Sequence, residues 1–446
     1  MKITIPAQKI AIIGAGPAGI LAGVELQKAG YTDITIYGKF EEAQCRTKHI
    51  DGVVADVGTC YVHSGYYNTI KKLVEKYDIH IEYLGEEPKS VNSTDIHTAI
   101  QPSTKEKILA YLALAYFIVH GVVWKFLKNT YLGRYLYGMS FEKYLQRVGL
   151  GRLVHSFVFG PGGVAQGYGF LKDVNAYRLF RWFRPSIFLT PIMNKKRRGT
   201  GIIAEGYGTL FKRIYDTLPH HRAVRVQSVT PTSNEQLKVT EESGEIVIYD
   251  TVIVACPLAQ VETPVSDSIQ PQSIQSTPLF SYMWTSTEVP HFEDRVYLLD
   301  YIKTDKTDVI STFRNWGKTN AGLYVYWGVG YASEGISPDA LQQKLQQQVA
   351  SELLLPLEKV EFFNIFDYNP RFSAAAIREG LHLDIRRAQG KNNIWYTGGM
   401  LSHWDVDSIY EFDINLVNKL VYQNNPSLGN GIKYTICRIG RFISDF

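Results

Sequence analysis

Cysteine is scarce in these 446 residues: Cys45, Cys60, Cys256 and Cys437 are the only four, and none stands in a CxxC pair. That spacing suggests neither a disulfide scaffold nor a zinc knuckle, and a reducing, cytoplasmic compartment fits it best. Metal-binding patterns are missing too. The 11 histidines form no HxH or HExxH, and adjacent His220 and His221 would point to different sides of any helix or strand, so no metal is expected. No GxSxG sits in a strand-turn-helix context, which leaves a nucleophile triad without support. An excess of one charge sign is also absent. Lys and Arg number 47 against 43 Asp and Glu, and a net +4 is too small for this length to imply nucleic acid. The opening MKITIPAQKIAIIG lacks a charged leader, an apolar run and a small-residue cleavage site, so export is not expected. One uncharged stretch, Ile108 to Trp124, has His120 as its only ionisable group and stands at the short edge of a spanning helix. A buried or membrane-touching helix is expected there.

What the chain has in abundance is aromatic surface. Its 29 Tyr, 21 Phe and 7 Trp make 13% of residues, which favours flat contact surfaces or pockets for flat or oily ligands. The length is about three times a ~150-residue domain, so two or more domains should share a sizeable core. Residues 9–14 read as a strand ending at glycine, Pro17 to Ala29 as a helix, and Ile34 to Tyr37 as a second strand. A helix opens at Asn68-Thr69, residues 86–104 read as a polar connection, and 106–198 as an aromatic helical insert closed by Lys195, Lys196, Arg197 and Arg198. Strands are expected at 223–229, 237–240, 245–249 and 250–257. A linker at 266–278 then leads into a strand-rich region, 279–330, and a helix marked by Leu341, Leu345, Val349 and Leu353. Further strands fall at 359–367 and 393–397. The last helix should run from Ser408 to Leu420, opened by a capping box of Ser408 and Glu411.

The motif with chemical content is Gly14-Ala15-Gly16-Pro17-Ala18-Gly19, a GxGxxG that ends a strand and opens a helix. Gly14 permits the tight turn, Gly16 lets the backbone approach a pyrophosphate, and Gly19 lets the helix lie close on the sheet. The helix start then offers unpaired N–H groups and the positive end of its dipole to the phosphates.

With this motif in place, the chain resembles the flavin-containing amine oxidase superfamily, most closely the polyenoic fatty acid isomerases, over residues 9–422. The resemblance is carried by AIIGAGPAG, Asp56-Val57-Gly58, Gly160 to Gly169 with Gln-Gly-Tyr-Gly, Gly206-Tyr207-Gly208, the strand Asp250 to Pro257, and Trp395 to Gly399. It implies an α/β fold in the two-domain amine-oxidase-like architecture. An FAD-binding Rossmann-like domain of the glutathione-reductase type, discontinuous over 1–100, 199–265 and 385–446, would sit against an α+β substrate domain. That second domain would comprise the helical insert 101–198 and a mixed sheet, 266–384. FAD is the implied cofactor.

The resemblance also implies roles. Gly14, Ala15, Gly16, Pro17, Ala18 and Gly19 would cradle the diphosphate, and the Val226 backbone would hold adenine. The acid expected at the end of the second strand is Gly38, so Glu41 or Glu42 would take the ribose hydroxyls; Arg46 follows, preceded by Gln44-Cys45 instead of a glycine pair. Gly58 and Thr59 would line the isoalloxazine edge. Gly398, Gly399 (in place of an acid), Asp407 and Ser408 would present the last helix to the flavin pyrimidine, where the dipole favours negative charge. Tyr61, His63, Tyr168 and Trp404 are candidates for the flavin-facing wall. Arg178 and Arg181, with Arg184, fall at three-residue spacing and could clamp a carboxylate. Tyr111, Phe117, Trp124, Phe126, Tyr135, Phe157 and Phe159 of the insert favour an oily tunnel. The activity implied is hydride transfer between flavin N5 and a lipophilic substrate, a polyunsaturated fatty acid dehydrogenated or isomerised. Two alternatives stay open: a flavin amine oxidase, although the family's lysine is missing from Ser281 to Thr287, and a non-catalytic escort of lipid or prenylated protein resembling the Rab GDP dissociation inhibitors. The run Lys195 to Arg198 adds an expectation of peripheral membrane contact.

Overall fold

The structure, a computed structural model, describes residues 7–39, 45–63, 68–83, 89–92, 95–99, 103–152, 169–182, 200–289, 296–299, 305–403 and 405–424. The strand Lys9–Ile13 is an unbroken β-branched run, buried at all but its first residue, as suits a strand covered on both faces. It is the middle of a five-stranded parallel sheet ordered His220–Arg222, Asp33–Tyr37, Lys9–Ile13, Thr251–Val254 and Ile394–Tyr396. The helix Pro17–Ala29 starts on a proline and stops at Gly30 in the left-handed conformation. Its Ile20, Leu21 and Val24 pack with Ile12 of the sheet and with Leu416 and Leu420 of the last helix, Val406–Asn424. An antiparallel meander, Val226–Pro231, Leu237–Glu241 and Ile246–Tyr249, adjoins this layer.

A second sheet has seven strands, ordered Lys359–Phe372, Ile274–Ser286, Tyr324–Tyr331, Thr312–Lys318, Val296–Leu299, Lys89–Asn92 and Asp95–Ala99. Two expectations change here. Residues 89–92 and 95–99 are strands of this sheet rather than a polar connection, and the strand from Ile274 takes up the end of the expected linker. Leu341, Leu345 and Val349 of the helix Pro338–Ser351 cover one face, over Trp284, Phe313 and Tyr326. Alternation along Thr312–Lys318 sends Arg314 and Trp316 to the other face, toward the strand Val53–Asp56 and the loop that follows it.

The insert opens with Thr104–Leu127, whose Ser103 and Glu106 form a reciprocal capping box. Leu109, Tyr116, Trp124 and Leu127 turn one stripe toward the core, with Ala113 and His120 buried between them. Tyr111, Phe126 and Tyr135 are exposed instead, so these three do not line an oily tunnel. The side chain of Phe117 and residues Phe157, Phe159 and Lys195 to Arg198 lie outside the described residues. Among the described residues no helix is long and apolar enough to cross a membrane.

Candidate cofactor site

The fingerprint turn has the geometry its glycines require. Gly14 has φ +122°, and an added Cβ would meet the Ala255 and Cys256 backbone at 3.0 Å. At Gly19 a Cβ would stand 1.8 Å from the Gly14 carbonyl oxygen, so helix and turn touch through the missing side chain. Above Gly16 there is nothing within 4 Å. Gly16 is the N-cap of Pro17–Ala29, and no side chain caps that helix start. Its first amides therefore open onto free space, the arrangement that receives a phosphate.

That space continues as a cavity of about 430 Å³ lined by Gly14, Gly16, Pro17, Ala18, Tyr37 and Val226 together with Thr397, Gly398, Gly399, Met400 and Ile409. Gly38, where the ribose acid was expected, also lines it; Glu41 lies outside the described residues. Ala15 is fully buried beneath the turn. The residues present thus fit a dinucleotide: bare amides at a helix start, a glycine pair at Gly398-Gly399, and Val226 of the meander on the same cavity.

The last helix differs from expectation at its start. It begins at Val406, and Asp405 caps it: its carboxylate accepts from the Ser408 amide at 2.7 Å and the Ser408 hydroxyl at 2.5 Å. Ser408 is therefore inside the first turn, and the Ser408–Glu411 capping box does not form. Asp405 in turn lies 2.6 Å from Nδ1 of buried His403. Asp407 points to a different element, accepting at 2.8 Å from the amides of Thr69 and Ile70 at the start of the helix Asn68–Lys76. Its burial raises the pKa to about 7 against the pull of those two amides. It serves as a helix cap and does not line the cavity.

Arg178 and Arg181 lie on Ala176–Trp182 and reach the same glycine turn. Arg178, 3% exposed, donates through Nη1 to the Gly399 carbonyl at 2.9 Å and through Nη2 to Asn369 Oδ1 at 3.1 Å, while Arg181 donates to the Leu401 carbonyl. Both arginines tie the insert to the turn at Gly399 that lines the cavity.

A cluster that sequence reasoning missed lies at the strand Val53–Asp56. Arg46 is exposed, and its carbonyl accepts from the Val57 amide; this pairing leads into Gly58, with φ +134° and open space beside it, and exposed Thr59. Asp56 is fully buried, accepting through Oδ1 from Thr47 Oγ1 at 2.5 Å and the Tyr207 amide at 3.0 Å, while Oδ2 has no partner. Desolvation raises it to about 7. Arg314, 1% exposed, stacks 4.0 Å from the Trp316 ring and 5.2 Å from the Tyr61 ring, and it interacts with the side chains of Cys60 and Tyr61. It stands among Cys60, Tyr61 and Asp56, whose titrations its charge lowers. A lone arginine in a strand carries no sequence signal for this; only the sheet alternation at 312–318 could have hinted at it. Tyr61 belongs to this cluster, its carbonyl accepting from Tyr207 Oη at 3.0 Å. His63 is on the short strand Val62–His63, its side chain outside the described residues, as are Tyr168 and Trp404.

Residues 12–77 match the family model described as an NAD(P)-binding Rossmann-like domain. Among solved structures, the chain is similar to a CLA-producing fatty acid isomerase from P. acnes, with a TM-score of 0.74 over 92% of this chain and 98% of that one. The chain shares the fold of that structure, a Rossmann-like layer beside a seven-stranded sheet. The same fold is seen in putrescine oxidase bound to putrescine, at a TM-score of 0.72 over 93% and 99% of the two chains. Identities of 18% and 14% make these likenesses of fold. No curated protein matches the chain in sequence. The cavity lies along the Rossmann-like sheet, and the Asp56–Arg314 cluster lies where the seven-stranded sheet meets the strand Val53–Asp56.

Proposed function

We propose that the chain binds FAD and acts as an oxidoreductase or isomerase on a lipophilic substrate, with a polyunsaturated fatty acid suiting its residues best. The observation that carries this is the cavity from Gly16 to Met400, opening over helix amides that no side chain covers. When bound, FAD supplies the redox step by accepting or returning hydride; the protein supplies orientation, exclusion of water and charge. Gly14 to Gly19 hold the diphosphate, Val226 the adenine through its backbone, and Glu41 the ribose. Gly58, Thr59 and the preceding Arg46 border one side of the ring, Gly398 and Gly399 the other, with Ser408 behind them in the first helical turn. Tyr61, His63, Tyr168 and Trp404 enclose the reacting face. Arg178 and Arg181 keep the turn at Gly399 in place, and a substrate carboxylate would compete for their donors.

An acid suits this site better than an amine. Arg314 is a buried cation beside Tyr61, and Ser281 to Thr287, in and just beyond the strand Ile274–Ser286, contain no lysine. Peripheral membrane contact would bring such a substrate to the protein.

The test begins with colour. The purified protein is expected to be yellow with flavin absorption, and Gly16→Glu, which fills the cradle with bulk and negative charge, is expected to lose it. A colourless protein that rejects added FAD would favour a lipid or prenyl-protein escort. On anaerobic mixing, bleaching by a fatty acid indicates dehydrogenation, and moved double bonds without net bleaching indicate isomerisation. Bleaching by amines alone overturns the acid reading.

A further inference from the structure

The insert helix Thr104–Leu127 has a second apolar stripe that the fold leaves uncovered by any described residue. Ile108, Leu112, Val119, Val123 and Phe126 are each 39–66% exposed. At about 100° per residue they fall within a sector of roughly 60°, beside the stripe that packs on the core. The next helix, Tyr131–Tyr137, extends this surface with Tyr131 at 80% and Leu132 at 56% exposure. A helix apolar beyond its packed stripe is ordinarily buried on all sides or placed in lipid. This one is held against the core along one stripe and cannot cross a bilayer.

Charge identifies what covers it. Lys105 and Lys107 stand exposed at one end; toward the other, Lys128 lies over the Trp124 ring and Arg134 donates to the Glu379 carbonyl. Between residues 104 and 135 the sole acid is Glu106, already engaged with Ser103 in the capping box. A second copy laid against this face would bring cations to cations without acids to meet them. An anionic lipid surface meets both needs, accepting the apolar stripe at acyl depth and the lysines at the headgroups. We infer that this face rests in the plane of an anionic bilayer, where a lipophilic substrate would be presented to the insert. The inference does not depend on the flavin chemistry and is tested without it.

The full chain is floated with vesicles of phosphatidylcholine alone and of equal parts phosphatidylcholine and phosphatidylglycerol. Binding to the mixed vesicles, weakened by salt and much lower on phosphatidylcholine alone, is expected. Val119→Glu with Val123→Glu should lower it by about tenfold or more for each valine withdrawn from lipid, with unchanged circular dichroism because both sites are exposed. Lys105→Glu with Lys107→Glu should weaken binding to the mixed vesicles only. Wild-type protein that stays unbound, or a valine double variant that floats equally well, overturns the proposal. So does a wild-type dimer that the valine variant dissociates while neither protein floats.

Discussion

Gly19 and Gly16 show how two residues of one motif answer to different constraints. A Cβ at Gly19 overlaps the Gly14 carbonyl, so Gly19→Ala must lift the helix from the turn. We expect a loss of about 1–3 kcal/mol in urea unfolding together with lost nucleotide retention. Gly16→Ala meets no protein atom, so its fold should stay intact while nucleotide affinity falls. Asp407 offers a pH test. Its folded pKa of about 7 stands above the unfolded value near 4, so between those values the folded state holds a proton that the unfolded state has released. Its contribution to stability is present below about pH 4 and is lost as pH rises to about 7. Stability of Asp407→Asn relative to wild type should therefore rise across that window and level off above it, as followed by thermal melts. Arg314 makes the converse case. Burying a guanidinium is costly even beside partners, so Arg314→Met, which keeps most of the volume, should change the urea midpoint little, whereas Arg314→Ala should lower it by leaving a void.

At the scale of elements, short-range chemistry was readable where it was self-contained. The fingerprint strand and helix follow from a β-branched run, a glycine turn and a proline start, all within 25 residues of each other. The last helix was harder because Asp405 and Ser408 are both N-cap residue types three positions apart, and the Asp405 carboxylate is the one that takes the Ser408 amide. Asp405→Ala is expected to cost about 1 kcal/mol, seen as a lower melting temperature, while Ser408→Ala should cost less because the amide at 408 keeps its acceptor. Strands 89–92 and 95–99 were illegible for another reason. Lys89-Ser-Val-Asn is polar, and it becomes a strand by pairing with Val296–Leu299 about two hundred residues away. The exposed aromatics of the insert were misassigned because composition counts rings without saying which way each one turns.

In the whole molecule, the two halves are joined at the glycine turn by Arg178 and Arg181, whose guanidinium groups replace bonds the turn cannot make to itself. A ligand bound only by the folded state adds about 2.7 kcal/mol at a hundredfold excess over its Kd. FAD should accordingly raise the melting temperature of the wild type, and Arg178→Met should shrink that rise by loosening the turn at Gly399. By itself the sequence determined the dinucleotide turn, the alternation of its flanking elements and the class of fold they belong to, because these depend on residues close in the chain and on Gly14 and Gly19, whose backbone angle and close contact exclude a side chain. Only the tertiary structure decided that Asp407 caps another helix, that Arg178 braces a turn, that Arg314 is enclosed beside Tyr61, and that the insert turns an apolar stripe outward. Each of those depends on which distant surfaces meet, and burial, charge and exposure are properties of that meeting rather than of the residue alone.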